Sequence, residues 1–328
     1  MKTEGKFLKR ENVALYVRNY ALAVIFIFVC MVFAIASPTF LTMTNIIGVL
    51  RQVSVNGILA VGMMMVIITG GIDLSIGPLA ATAGVVSALL LEKNEGILVP
   101  AVLAGILSAA IISMWTGMLV AKMRIAPFIA SLSTMSIAKG VVLVIADGVP
   151  HTIKDKTYTN IGNGFLWDPS KTGGLSIPIP ILVFTAVAIV VGATLYKTRY
   201  GRHIYAVGGN ENAAIASGVN TVRVKFCTYV FNGILCGIAG IVLAGRITSG
   251  QPTAASGYEM DAITAVIVGG TSMTGGVGRI SGTIIGVLII GVLNNGLVLM
   301  GVSSYYQQII KGVIIAAAVL LDMKTKKN

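Results

Sequence analysis

The chain has 328 residues, 55% of them hydrophobic and only 11% charged, where a soluble domain carries about 25% charged residues. Its formal net charge of +12 would by itself fit a nucleic-acid binder. The basic residues instead sit between long apolar runs, which argues for a membrane protein and against a nucleic-acid partner.

Apolar runs of about 20 residues cross a bilayer as helices. In chain order the candidate spans are Ala21–Ala36, Gly57–Thr69, Ile76–Leu91, Ile97–Ala121, Pro127–Ala146 and Ile179–Tyr196. They continue with Val222–Ala244, Ala262–Gly269, Thr283–Met300 and Ile309–Leu321. The expected fold is all-α and polytopic, with about ten transmembrane helices in a single domain over residues 1–328. The Gly57 and Ala262 segments are short. Short or Gly-broken segments are tolerated in a membrane where protein or a water-filled cavity surrounds them. The longest polar stretch, residues 147–178, is expected outside the cell membrane.

Placing the N-terminus inside sorts the charges. The inside segments then carry Lys2 to Arg18, Lys122, Arg124, the Lys197–Lys225 cluster, Arg279 and Lys324 to Lys327. The outside segments carry only Arg51, Lys93, Lys154, Lys156, Lys171 and Arg246, while Lys139 and Lys311 fall within spans. That asymmetry obeys the positive-inside rule and predicts a multi-pass inner-membrane protein with both termini in the cytoplasm. Ala34-Ile35-Ala36 resembles a signal-peptide cleavage site, but the long apolar run and the spans that follow favour a retained helix. The topology is the same either way.

Two Gly-rich stretches interrupt apolar segments: Gly70-Gly71-Ile72-Asp73-Leu74-Ser75-Ile76-Gly77 and Gly269-Gly270-Thr271-Ser272-Met273-Thr274-Gly275-Gly276. Either they mark an internal repeat with broken helices beside a transport pathway, or they are two turns joining adjacent spans. Gly233-x-x-x-Gly237 and Gly282-x-x-x-Gly286 let helix backbones approach closely, within the chain or between copies. Met63-Met64-Met65 reads as packing filler or lipid-facing surface.

Ionisable groups at membrane depth are expensive. Asp73 lies in the first break and is the best candidate for a proton or ion relay. Glu259 and Asp261 head the second short segment, where they favour its helix N-terminus. Span-end capping or snorkelling accounts for the other charges. Asn56, Asn232, Asn294 and Asn295 are neutral polar residues that either bond a sugar-like solute or bond neighbouring helices.

The inside loop of about residues 197–221 holds a segment that reads as a short helix. Asn210 is its N-cap, Glu211 lies in its first turn and Gly218 ends it. It is either a docking element for a cytoplasmic partner or an ordinary surface helix.

Catalytic chemistry is not expected. No Gly-x-x-x-x-Gly-Lys-Ser/Thr loop is present, so this chain is expected to bind no ATP and to carry no cofactor. Gly276-x-Gly278-x-x-Ser281 nearly matches a dinucleotide fingerprint but lies between spans. His151 and His203 lie in polar loops on opposite faces and read as solvated residues without metal-ligating neighbours. Cys30, Cys227 and Cys236 lie in spans and read as packing residues, not a disulfide or metal set.

Four ordered motifs carry a family resemblance. They are Gly70–Gly77, Ala126–Met135 (Ala-Pro-Phe-Ile-Ala-Ser-Leu-Ser-Thr-Met), Arg199–Glu211 with Ala213-Ala214, and Tyr258–Ile263 with Gly269–Ser272 and Gly275-Gly276. From about residue 40 onward the chain resembles the permease subunits of bacterial ABC-type monosaccharide importers. Leu293–Leu297 and Gly301–Gln307 bring it nearest the ribose permeases. Two departures stand out: Ser133 where the family usually has Gly, and Lys139-Gly140 where it usually has Arg-Gly.

The resemblance implies a type II ABC importer permease fold and import of a monosaccharide, ribose above others. It implies as partners a second permease subunit, by expectation a second copy, a cytoplasmic ATPase pair holding ATP and Mg, and a periplasmic sugar-binding protein. It maps ATPase docking onto residues 200–219, with Asn210, Glu211, Ala214 and Gly218 as coupling residues. A neutral sugar calls for a path of hydrogen-bonding groups, for which Asn56, Asp73, Ser75, Thr134, Asn232, Thr271 and Asn294 are the candidates. The competing reading is an ion-coupled secondary carrier without an ATPase.

Overall fold

A computed structural model describes residues 22–93, 96–167 and 177–327. Ala21, the basic residues Lys2 to Arg18, and Lys171 lie outside the described residues, as do the side chains of Lys324, Lys326 and Lys327.

The first helices are α1 (Leu22–Ala36), α2 (Met43–Ile68), α3 (Ile76–Lys93), α4 (Leu98–Ala121) and α5 (Pro127–Ile145). A two-residue strand β1 (His151–Thr152) and the short α6 (Lys156–Asn163) follow. Next come α7 (Ile179–Lys197), α8 (Arg199–Gly209), α9 (Glu211–Ala216) and α10 (Thr221–Ile247). The strand β2 (Ser249–Gly250), α11 (Tyr258–Val268), α12 (Ile280–Leu299) and α13 (Ser304–Lys327) complete the order. The strands pair antiparallel, His151 opposite Gly250 and Thr152 opposite Ser249.

Local chemistry sets the helix starts. The Thr42 side chain accepts from the Asn45 N–H, Asp155 from Thr157 and Tyr158, and Asn220 from Arg223. Each satisfies donors that a helix leaves unpaired. Proline opens α5 and α7, where its missing N–H costs nothing.

Seven of the described helices are long and apolar enough to cross a membrane: α2, α3, α4, α5, α7, α10 and α12. α2 differs from expectation. Its 26 residues start well before Gly57, because Arg51 and Gln52 lower the hydropathy without breaking the helix. The Arg51 guanidinium donates to the Asn163 carbonyl and lies 4.8 Å over the Phe165 ring, so its charge is held by protein. α11 remains short, at 11 residues.

α2 is the centre of the bundle. Every residue from Val53 to Ile68 is buried, including Met63, Met64 and Met65, so the methionine run is packing and not lipid surface. α7, α10, α11 and α12 surround it. The outer helices show the inverse pattern. Val99, Leu103, Leu107 and Ile111 of α4 are all exposed, four residues apart on one stripe, as a lipid-facing surface requires.

Both Gly-x-x-x-Gly motifs serve packing within the chain. A Cβ on Gly237 would lie 2.7 Å from Ile106 Cα of α4, and one on Gly233 would strike Ser113. Gly282 and Gly286 press on the backbone of Gly269 and Ala265 in the same way. Polar residues collect at the two ends of the bundle. One end holds Glu92, the β1–β2 pair, α6 and Arg246; there the Asn163 amide donates to the Gly245 and Arg246 carbonyls at 3.0 and 2.9 Å. The other holds α8, α9 and the Gly275–Gly278 turn. His151, expected to be solvated, is instead only 16% exposed and sits 2.7 Å from Glu92 Oε2, because pairing of β1 with β2 lays it against the end of α3.

Backbone contact makes one glycine of α10 a sharp test of this packing. A Cβ on Gly240 would run into the Ala80 carbonyl, whereas one on Gly48 meets nothing within 4 Å. Gly240→Ala should therefore destabilise the detergent-solubilised protein by about 1–3 kcal/mol. Gly48→Ala should be neutral or slightly stabilising. Thermal unfolding of the two variants side by side checks both.

Candidate transport path and coupling surface

The first Gly-rich break turns the chain back into the bundle. Gly70 holds φ +80°, which Gly adopts without penalty. The Gly71 N–H returns to the Val66 carbonyl at 3.1 Å. Asp73 is then fully buried. Its Oδ1 accepts from the Ser75 N–H at 3.0 Å and the Ser75 hydroxyl at 2.5 Å, and its Oδ2 accepts from the Asn232 amide at 2.9 Å. The Tyr229 hydroxyl donates to the Ile72 carbonyl at 3.1 Å. A carboxylate with three donors at the start of α3 is a compensated buried group. It ties the α2–α3 break to the middle of α10.

The second short helix also begins inside the bundle. A Cβ on Gly250 would lie 2.6 Å from Ala88, while one on Gly77 would lie 2.6 Å from the Ala255 carbonyl oxygen and 2.7 Å from Glu259 Oε2. Between Gly250 and Ala255 the chain thus passes along α3 from the level of Gly84–Ala88 to that of Gly77. This loop leaves Gln251, Thr253 and Ser256 exposed. Beside it, α5 exposes Ser133, Ser136, Lys139 and Gly140. A groove of about 210 Å³ runs between them, lined by Gly77, Pro78, Lys139, Thr253, Ala255 and Ser256.

Behind the loop lies a polar cavity of about 590 Å³, bordered by Gln52, Glu259, Asp261, Asn294, Asn295, Gln307 and Lys311 among others. Lys311 Nζ of α13 sits 2.8 Å from Asp261 Oδ1, and the Asn294 amide donates to Asp261 Oδ2 at 3.1 Å. Asn295 and Asn45 exchange two amide hydrogen bonds of 2.8 and 3.0 Å.

At the opposite end, the 197–221 loop folds as two helices where the sequence announced one. The Asn210 side chain caps α9 by accepting from the Ala213 N–H at 3.0 Å, Ala214 is buried, and Gly218 closes the turn at φ +82°. Glu211 Oε2 lies 2.6 Å from Lys225 Nζ of α10. Ile215 is 53% exposed. α9 forms one wall of a cleft of about 320 Å³ whose other wall is the α4–α5 turn, with Arg124, Ile125 and Pro127. Tyr200 fastens α8 to α10, its Oη 2.8 Å from Thr228 Oγ1 and 3.3 Å from the Val224 carbonyl oxygen. Burial pushes the Tyr200 hydroxyl up to about 12, so it stays protonated.

Residues 45–319 match the family described as the branched-chain amino acid transport system permease component. The chain belongs to that permease family. It is 46% identical over 303 residues to the ribose import permease protein of Bacillus subtilis, covering 92% of this chain and 91% of that one. It is 46% identical over 288 residues to the ribose import permease protein of Escherichia coli K12, covering 88% of each. The L-arabinose transport system permease protein of Escherichia coli K12 is 36% identical over 309 residues, covering 94% and 92%. No solved structure matches the chain.

In this permease the residues singled out from sequence fall into separate places. Asp73, Ser75 and Asn232 form one cluster, and Asn294 joins Asp261 and Lys311. Thr134 is buried on the inner face of α5, its hydroxyl donating to the Ala130 carbonyl at 3.0 Å. The Asn56 amide and the Thr271 hydroxyl are buried without hydrogen-bond partners among the described residues. The pairing of Asp261 with Lys311, which span-end capping and snorkelling had left apart, is the main site feature that sequence reasoning missed. The available signal was two opposite charges in otherwise apolar segments, which are least costly when paired.

Removing one partner of such a pair strands the other. Lys311→Met should cost about 3–5 kcal/mol in detergent unfolding. The double variant Lys311→Met with Asp261→Asn should recover at least half of that loss, a coupling that a double-mutant cycle measures.

Proposed function

We propose that this permease carries ribose inward across the inner membrane as the membrane subunit of an ATP-driven ABC importer. The observation that carries this reading is the 46% identity to ribose import permeases over about nine-tenths of both chains. ATP and Mg belong to a separate cytoplasmic ATPase pair, and a periplasmic sugar-binding protein delivers the substrate. The permease works as a pair of copies with type II architecture and about ten spanning helices each. The segments beyond the seven long helices are α1, the short and largely buried α11, and α13. Both termini face the cytoplasm, which puts α8 and α9 on the ATPase side and the β1–β2 pair on the side of the binding protein.

The path runs along the groove between α5 and the 251–257 loop. Irregular backbone at membrane depth is tolerated against protein or water, not lipid, and this loop exposes Gln251, Thr253 and Ser256 beside Ser136 and Lys139. A second copy facing that groove closes the path. The hydroxyl and amide groups there exchange hydrogen bonds with a neutral sugar as its hydration is stripped. Asn56, Thr271 and Asn294, with polar atoms still unpaired, are further wall residues. Asp73, Ser75 and Asn232 hold the wall together by bonding one another. No observation favours the secondary-carrier reading.

Alternating access follows when the ATPase pair closes and pushes on α9 through Asn210, Glu211, Ala214 and Gly218. Glu211→Lys reverses the charge beside Lys225 and on the docking face. It should reduce ribose uptake at least tenfold while leaving the amount of permease in the membrane unchanged. Wild-type uptake of labelled ribose by that variant sinks the docking assignment. Gradient-driven uptake by the permease reconstituted alone would overturn the ATP-driven reading itself.

A further inference from the structure

The two Gly-rich breaks lie far apart in sequence and meet at one point, the C-terminal end of α8. The Gly276 N–H donates to the Ile68 carbonyl at 2.9 Å, so the end of α2 is bonded to the turn before α12. Gly208 presses its α-carbon onto that bond. A Cβ there would collide with the Ile68 carbonyl oxygen and approach the Gly276 nitrogen at 2.6 Å. Gly275 and Gly276 hold φ +87° and +75°. A Cβ on Gly275 would lie 2.8 Å from the Gly208 carbonyl oxygen and 3.0 Å from the Gly70 nitrogen. Three backbones therefore touch with no side chain between them. The Tyr205 hydroxyl, one turn earlier on α8, donates to the Gly278 carbonyl at 2.9 Å.

Gly208 is also two residues from Asn210, the cap of α9. Asn210 belongs to both helices, since its N–H returns to the Ala206 carbonyl at 3.1 Å while its side chain starts α9. Tyr200 pins the far end of α8 to α10. A push on α9 is thus delivered to the free end of a short helix held at its start, and that end rests on both breaks.

We propose that Gly208 is a positioning residue of the transport cycle, transmitting displacement of α9 to the α2–α3 and α11–α12 breaks together. This rests on the ATP-driven reading above. Close backbone contact suits the role because packed backbone deforms little and passes on small displacements that a flexible side chain would absorb. Contact with both breaks makes the two halves of the wall move as one, so that the cytoplasmic side does not open by halves. Gly209 is the internal control: it is the next residue of the same helix, and a Cβ there meets nothing within 4 Å.

The test uses the assembled complex of permease, ATPase and ribose-binding subunits in liposomes. Three quantities are read: basal ATP hydrolysis, its stimulation by ribose-loaded binding protein, and ribose uptake. Gly208→Ala should keep basal hydrolysis within twofold of wild type while stimulation and uptake fall at least tenfold. Gly209→Ala should match wild type in all three. Wild-type stimulation by assembled Gly208→Ala overturns the proposal, as does an equal loss in Gly209→Ala, which would trace the effect to the helix and not to the contact. If Gly208→Ala does not assemble, Tyr205→Phe decides, since it removes one hydroxyl and adds no bulk. Its stimulation should fall at least threefold, and wild-type stimulation overturns the proposal. Uptake by the wild-type permease without its ATPase would instead defeat the underlying reading, and that result is distinct from every outcome above.

Discussion

Inside a bilayer, a backbone N–H or carbonyl without a protein partner costs several kcal/mol, and besides the second Gly-rich break this chain leaves helical structure at the first Gly-rich break and along the 251–257 loop. Much of the rest of the structure follows from how those two interruptions are accommodated. At Gly70–Ser75 the backbone is satisfied by return bonds to α2, by the Tyr229 hydroxyl and by the Asp73 carboxylate. At residues 251–257 it is laid along α3 in close contact with Gly77. Of the groups at the first interruption, Tyr229 and Asn232 come from α10, which lies against α2, α3 and α4.

The same constraint divides the polar residues between structure and transport. Asp73 and Ser75 spend their hydrogen-bonding capacity within this cluster, and Asn232 gives its amide to Asp73 while its Oδ1 is buried without a hydrogen-bond partner among the described residues. Lys311 and Asp261 neutralise one another beside a polar cavity, and that pairing draws α13 onto α11. The exposed groups on α5 and on the 251–257 loop bond only within their own segments, Ser133 to the Ala130 carbonyl, Ser136 to the Leu132 carbonyl and Gln251 to Thr253. A helix face with Ser136 and Lys139 exposed at this level is unsuited to lipid, whereas the Val99–Ile111 stripe of α4 suits it well. On the proposed transport reading, exposed polar groups, and not hydrophobicity alone, distinguish the path side of the bundle from the lipid side.

Coupling adds a mechanical requirement to the chemical one. The ATPase reading places the push on α9, a helix too short to be rigid alone. α8 supplies the rigidity, fixed by Tyr200 at one end and by Tyr205 and Gly208 at the other. The glycines of the breaks then have two uses. They permit the left-handed turns, and they permit the contact between backbones that links α8 to both halves of the wall.

Residue order alone determined the membrane class, most of the helix positions, the Asn210 cap and the family. These are local properties: apolar run length, charge placement between runs, capping chemistry and contiguous motifs are all written along the chain. It failed at Arg51, where a hydropathy dip looked like the end of a span, because the Asn163 carbonyl and the Phe165 ring that hold that charge lie more than a hundred residues away. Only the tertiary structure decided that His151 pairs with Glu92, that Lys311 pairs with Asp261, that Asn232 serves Asp73, and that Gly208 bridges the two breaks. In each case the physical reason is the same: the energy of a buried polar or close-packed group depends on the partner opposite it, and that partner is chosen by helix packing, not by neighbours in sequence.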